Sequence, residues 1–236
     1  MNALPFAIIQ FETPPAGVMA RVGEQQHWFI AAAGLQPDGW LIVRPDLGEA
    51  LPDPALLSGA ILSGSWAMVT DHAEWSERTA AWIRSAMDHR LPLLGVCYGH
   101  QLMAYALGGK VGDNPRGWEG GVQQITRHEE GADDALLGAL PGQFSAWLSH
   151  RQSVLRPPTG ARVLASSTME PCQIIRYSPQ ALSVQFHPEF TSAIMAACQQ
   201  NGQRQQDFGE ALPEPSWPLR LLQHFCQQSC AIERRA

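Results

Sequence analysis

Short apolar runs punctuate the first hundred residues of the chain, and between them apolar positions return every three or four residues. "FAIIQF" (6–11), "GWLIVRP" (39–45), "GAILSGS" (59–65) and "LPLLGV" (91–96) have the length and content of buried strands. "GVMARVGEQQHWFIAAAG" (17–34) has helical spacing. In "TDHAEWSERTAAWIRSAMDHR" (70–90), Trp75, Thr79, Trp82/Ile83 and Ala86/Met87 fall on one stripe, and Asp71 with Glu74 three residues on suggests a capping box. "HQLMAYALGG" (100–109) reads as the helix after the fourth strand, closed by a glycine pair. Alternating strands and helices predict a three-layer α/β fold: a mainly parallel central sheet with helices on both faces.

The second half has a different rhythm. "GVQQITRH" (121–128), "ARVLASST" (161–168) and "CQIIRYS" (172–178) predict a small antiparallel addition. "ALSVQFH" (181–187) is then a return strand ending at His187. "FTSAIMAACQQNG" (190–202) reads as a helix, "QRQQDFGEALPEPSWP" (203–218) as a polar connection broken by prolines, and "LRLLQHFCQQSC" (219–230) as a closing amphipathic helix. No internal repeat or long linker divides the chain, so one domain is expected over 1–236, with 191–217 as an extra segment and possible lid.

Composition narrows the function classes. The chain has 236 residues, 45% hydrophobic and 16% charged, within the ordinary globular range. A formal net charge of −6 offers no footprint for nucleic acid, and no run is long enough for a membrane span. The start lacks the basic flank and cleavage site of a secretory signal, and the five cysteines (97, 172, 198, 226, 230) are odd in number and scattered. A reducing cytoplasm is the expected home.

The chemistry concentrates in "GVCYGHQ" (95–101). A Gly-x-nucleophile-x-Gly turn between strand and helix presents the central side chain at the top of a sheet. A helix starting after Cys97 would aim its N–H groups at the sulfur and favour thiolate, and the Tyr98 N–H would sit where an oxyanion forms. A structural cysteine under a tight turn is the competing reading. A thiolate acyl-transfer site also needs a base and a group to orient it. His187 stands at a strand's carboxyl end in "HPE", with Glu189 placed to fix its tautomer; alone, the tripeptide is an ordinary polar turn.

Together, "GVCYGHQ" and "VQFHPEF" (184–190) resemble the paired signatures of class I glutamine amidotransferases, the triad type with a Cys-His-Glu site. "ILSGS" (61–65) is similar to that family's strand-end glycine loop, and "LSHRQSV" (148–154) to the segment that binds the amino-acid end of glutamine in its GMP-synthetase-like branch. The resemblance implies a flavodoxin-like fold, with Cys97 as nucleophile, His187 as base and Glu189 as its orienting carboxylate. It further implies oxyanion donors at the Gly64 and Tyr98 N–H groups and substrate contacts at Gln101, Ser149 and His150, and the loop residues Ser65 and Trp66 are expected to touch substrate beside them. Ser65 and Trp66 replace the glycine and proline that many members carry after the loop glycine. Ser65 still supplies a backbone N–H, whereas Trp66 narrows or restacks the pocket and bears on which substrate fits.

Other residues are read conservatively. His100 lacks further ligands at metal spacing, so no metal is expected. Trp75, Trp82, Cys226 and Cys230 suit packing, the His150 ring suits solvent, and "NPRGWEGG" (114–121) suits a surface hairpin. With no Walker-type loop or dinucleotide fingerprint, no cofactor is expected. Three functions follow. The first is a glutaminase supplying ammonia to a separate synthetase subunit. The second is an autonomous hydrolase or transferase of γ-glutamyl amines or peptides, and the third a non-catalytic module on the same fold.

Overall fold

The four apolar runs of the N-terminal half pair in parallel. Strands β1 (Phe6–Ile9), β2 (Trp40–Val43), β3 (Gly59–Leu62) and β4 (Leu93–Val96) stand in the order β2-β1-β3-β4 in the computed structural model, which describes residues 4–34, 39–201 and 215–232. β1 and β3 are buried throughout because both faces are covered, and their side chains alternate between two cores. Ala7, Ile9, Ala60 and Leu62 face helices α3 (Glu74–Asp88) and α4 (Tyr98–Ala106). Ile8 and Ile61 face the opposite core, with Phe29 of α2 (Gln25–Ala33) and Leu221, Leu222 and Phe225 of α6 (Ser216–Ile232).

The return strand β11 (Ala181–Val184) lies beside β4 in parallel register, Ala181 opposite Leu93 and Val184 opposite Val96. That pairing matters most for the site, because it brings the chain after β11 next to the chain after β4. Beyond β11 the same sheet continues antiparallel through β10 (Ile174–Arg176), β9 (Arg162–Ser166), β6 (Glu119–Arg127) and β7 (Gln143–His150). A two-stranded antiparallel sheet of β5 (Lys110–Asp113) and β8 (Gln152–Arg156) completes the fold.

Local details depart from the sequence pattern for identifiable reasons. The helical stretch 17–34 divides into α1 (Ala16–Val22) and α2 at Gly23, whose φ of 72° ends the first helix. Asp71 does not cap α3: it closes a 3₁₀ turn (Val69–Asp71), its carboxylate accepting from the Met68 N–H, and Ala73 occupies the cap position. α6 begins at Ser216, with Pro218 inside its first turn, where a missing N–H leaves no bond unmade. In the 191–217 segment, α5 (Ser192–Asn201) packs through Ile194 and Ala197 on Val18 of α1 and Trp28 of α2, while 202–214 lie outside the described residues. Cys226 belongs to the main core; the Cys230 side chain lies outside the described residues. Trp75 stacks on Phe11, and Trp82 is buried with its indole N–H on the Pro52 carbonyl, both as packing residues.

Candidate active site

The turn after β4 is built on close backbone approach. A β-carbon at position 95 would lie 2.6 Å from the Gly99 carbonyl oxygen, and one at 99 would lie 2.4 Å from that of Leu62 on β3. Only glycines let α4 start this close to the sheet. Cys97 between them takes φ 51° and ψ −100°, a conformation that non-glycine residues rarely adopt and that clusters at functional sites. Its own N–H still bonds Val184 of β11 at 2.9 Å, so the strained residue is anchored to the sheet. α4 begins at the next residue.

Cys97 is 6% exposed, so the sulfur sits at the floor of a cavity of about 190 Å³ and not on an open rim. His187 follows β11, its N–H donating to the Trp147 carbonyl of β7 at 2.8 Å. Its Nδ1 is 2.8 Å from Glu189 Oε1, its ring interacts with the Cys97 sulfur, and Phe190 stacks against it with centroids 3.9 Å apart. Burial pulls the imidazole pKa down, but the Glu189 carboxylate and the Cys97 sulfur outweigh that and raise it to about 10. The ring therefore holds its proton at neutral pH, beside a buried carboxylate and facing the sulfur.

Gly64 lies on the other side of the imidazole. A β-carbon there would be 3.1 Å from His187 Cε1 and 3.7 Å from Cys97 Cβ. Among the described residues, neither the Gly64 nor the Tyr98 backbone N–H has a hydrogen-bond acceptor. Two unmatched donors thus lie close to Cys97. The loop beyond Gly64 is tied down by Glu12, whose carboxylate accepts from Ser65 Oγ at 2.7 Å and the Ala67 N–H at 2.8 Å. Ser65 therefore spends its hydroxyl on the loop, while Trp66, 39% exposed, lines the cavity.

The remaining expected residues meet the same cavity with altered roles. The Ser149 carbonyl oxygen lies 3.9 Å from Cys97 Sγ. Gln101 lines the wall, its amide nitrogen already donating to the Gln152 carbonyl and Gln185 Oε1. The His150 ring does not face solvent. It is buried between the Gln152 carbonyl and Glu119, so "NPRGWEGG" is not a surface hairpin: Glu119 is buried at the start of β6, and Trp118 lines the cavity.

Sequence reasoning did not single out Gln25, Trp28 and Phe190, which also line the cavity. Gln25 is buried on α2 with its amide nitrogen on the Phe11 carbonyl, a polar residue on an apolar helix face and the one signal available. Cys198 of α5 is a second thiol in the cavity wall; burial, then the Glu189 charge, pushes it up to about 12, so it stays protonated. His100 is fully buried beside Ser183 Oγ, where burial lowers its imidazole to about 3. Among the described residues, no group of three or more His, Cys, Asp and Glu side chains is placed to hold a metal.

Residues 50–197 match the family described as glutamine amidotransferase class-I. The chain belongs to that family. Among its relatives is the glutamine-hydrolyzing GMP synthase of Aeropyrum pernix, 39% identical over 61% of this chain and 26% of that protein. The glutamine-hydrolyzing GMP synthase subunit of Saccharolobus solfataricus is 37% identical over 55% of this chain and 65% of that one. The match thus spans about a quarter of the full synthase and just under two thirds of the separate subunit. Gamma-glutamyl peptidase 5 of Arabidopsis thaliana is 26% identical over 80% of this chain and 77% of its own length. In fold, the amidotransferase superposes on a glutamine amido transferase of Methylobacillus flagellatus with a TM-score of 0.73, at 22% identity over 98% of this chain and 94% of that one.

Proposed function

We propose that this class I amidotransferase hydrolyses the γ-carboxamide of glutamine through a γ-glutamyl thioester on Cys97. One observation carries the reading: Cys97, the His187 ring that interacts with it and Glu189 bonded to that ring stand in series at one cavity, with the Gly64 and Tyr98 N–H groups unmatched close to Cys97. The Cys97 thiolate attacks the amide carbon, and the oxygen takes up negative charge against those two N–H groups. His187 gives its proton to the departing nitrogen as the C–N bond breaks, releasing ammonia. Water, deprotonated by the now neutral imidazole, then cleaves the thioester, restoring the thiolate and the protonated ring, while the remaining proton of the new carboxyl group leaves glutamate and is taken up by ammonia. Glu189 holds the ring in place throughout. The likeness to the separate GMP synthase subunit of Saccharolobus solfataricus supports a role in feeding ammonia to a distinct synthetase.

A second reading is hydrolysis of larger γ-glutamyl amides with no partner. The peptidase relative, matched over 80% of this chain, favours it, as do the indoles of Trp28, Trp66 and Trp118 in the cavity wall, which ammonia as a leaving group does not need.

The test is product release by the purified chain from glutamine and from a panel of γ-glutamyl amines and dipeptides. Cys97→Ser and His187→Ala are expected to lower kcat by about 10⁴-fold or more, and Glu189→Gln by less. Turnover that survives in Cys97→Ser would refute the mechanism. Fast turnover of dipeptides with glutamine poor would select the second reading over the first.

A further inference from the structure

We infer that Glu119 is a positioning residue for the γ-glutamyl substrate, acting through the His150 ring on the backbone that faces Cys97. The inference rests on the reading of Cys97 as the nucleophile of a γ-glutamyl amide hydrolase.

The residues form a closed frame. On β6 and β7, Glu119 is the register partner of His150, and Gly120 that of Ser149. The His150 ring is a strut between three chain segments: Nδ1 meets the Gln152 carbonyl at 2.9 Å, and Nε2 meets Glu119 Oε2 at 2.8 Å. Both side chains are 1% exposed. A carbonyl only accepts, so Nδ1 donates to it, and Nε2 is the ring atom left to pair with the Glu119 carboxylate. Glu119 is itself held by Ser167 Oγ at 2.5 Å and Gln173 Nε2 at 3.0 Å. The Gln152 carbonyl also accepts from Gln101 Nε2 at 2.7 Å, and Gln101 stands one turn after Cys97 on α4. The frame thus runs from β6 through His150 and Gln152 to the helix that carries the nucleophile.

What this frame locates is the bend at 149–152, which lines the cavity and places the Ser149 carbonyl 3.9 Å from the sulfur. Trp118 packs beside the frame in the cavity wall. A β-carbon at Gly120 would lie 2.1 Å from its indole, so the ring packs against the backbone opposite Ser149. Without the Glu119 carboxylate, the His150 ring has no anchor on β6, and the bend is free to move relative to Cys97. Displacements of about 1 Å in positioning groups can cost about a hundredfold in rate.

The test compares two reagents on Cys97: a glutamine-shaped chloroketone, which must seat in the cavity, and iodoacetamide, which need only reach the sulfur. In the wild type the chloroketone is expected to alkylate far faster. Glu119→Asp draws the carboxylate back by one C–C bond, about 1.5 Å, and is expected to lower the chloroketone-to-iodoacetamide ratio by about tenfold and to raise the KM of the substrate more than it lowers kcat. Glu119→Gln keeps the reach and can donate to Nε2 once the Gln173 amide turns its unpartnered oxygen toward the new N–H, so its ratio should stay within about threefold of wild type. A high ratio retained in Glu119→Asp would overturn the inference while leaving the nucleophile reading standing. So would an equal loss with both reagents, which would place the effect on the sulfur itself. A flat ratio in the wild type would overturn both.

Discussion

The carbonyl oxygen of Leu62 occupies the space in which residue 99 would carry a side chain. A β-carbon added at Gly99 would lie 2.4 Å from that oxygen and 2.7 Å from Leu62 Cβ. The obstruction is backbone inside a fully buried strand, so no flexible group can yield. Gly99→Ala should therefore destabilise the fold by about 3 kcal/mol, a fall of roughly 6–12 °C in Tm, because α4 must lift off the sheet. Thermal unfolding followed by circular dichroism reads this directly. A Tm within about 2 °C of wild type would mean that the helix start has room the geometry denies it.

The protonated imidazole of His187 gives the stability of the fold a pH signature. Its ordinary value is 6.5, and in the folded chain, despite burial, the Glu189 charge and the Cys97 sulfur raise it to about 10. A raised value means that the folded state holds the proton more tightly than the unfolded state does. The contribution is fully present below about pH 6.5 and is lost as the pH rises through about 10. Denaturant titrations between pH 6 and 10 should show wild type losing more stability than His187→Gln, which has no proton to lose. Parallel curves for the two proteins would contradict the assignment of that proton.

Away from the cavity, Arg176 and Asp134 form a two-pronged ion pair, with Nε and Nη2 donating at 2.8 and 2.6 Å. The side chains are 6% and 4% exposed, and the Leu136 N–H also donates to the carboxylate. Burial works to raise the Asp134 pKa, but the Arg176 guanidinium and the backbone donors hold it below the usual 3.8. This stability is present above pH 3.8 and is lost as the pH falls through the lower folded value. Asp134→Ala strands a buried guanidinium and should cost about 3–5 kcal/mol at neutral pH. Chemical denaturation at pH 7 and pH 3 checks both statements, since the gap between wild type and variant should shrink in acid.

The parallel half of the fold and the grouping of Cys97, His187 and Glu189 were legible for different reasons. β1, β3 and β4 are buried on both faces, so each appears as an uninterrupted apolar run bounded by glycine or proline. Cys97 and His187 stand ninety positions apart, yet each ends a run whose strand lies beside the other's, and glycines or a proline mark both turns. β7 and β8 were harder, because their polar positions resemble loop: Ser145 and Ser149 are only half-buried, and Gln152 and Ser153 are buried polar residues. Glu119 reads as a turn residue for a related reason. The glycines and proline around it signal a turn, and nothing local shows that its carboxylate is the partner of a histidine thirty-one positions away. Gln25 and Trp28 likewise show as buried helix residues, but only the tertiary fold sets α2 against the cavity.

Trp66 offers the sharpest test between substrate readings. It stands two residues after Gly64, lines the cavity and is 39% exposed, so its indole keeps free apolar area facing whatever enters. An indole in contact with an apolar group contributes on the order of 1–2 kcal/mol, about tenfold in kcat/KM. Glutamine loses only ammonia, which has no apolar surface to cover, whereas a γ-glutamyl dipeptide with a phenylalanyl leaving group can lie against the ring. Trp66→Ala is therefore expected to lower kcat/KM by about tenfold more for γ-glutamyl-phenylalanine than for glutamine. Steady-state kinetics with both substrates on wild type and variant measures the difference. An equal loss for both would put the indole over the shared glutamyl half of the substrate and remove the aromatic wall as an argument for a larger leaving group.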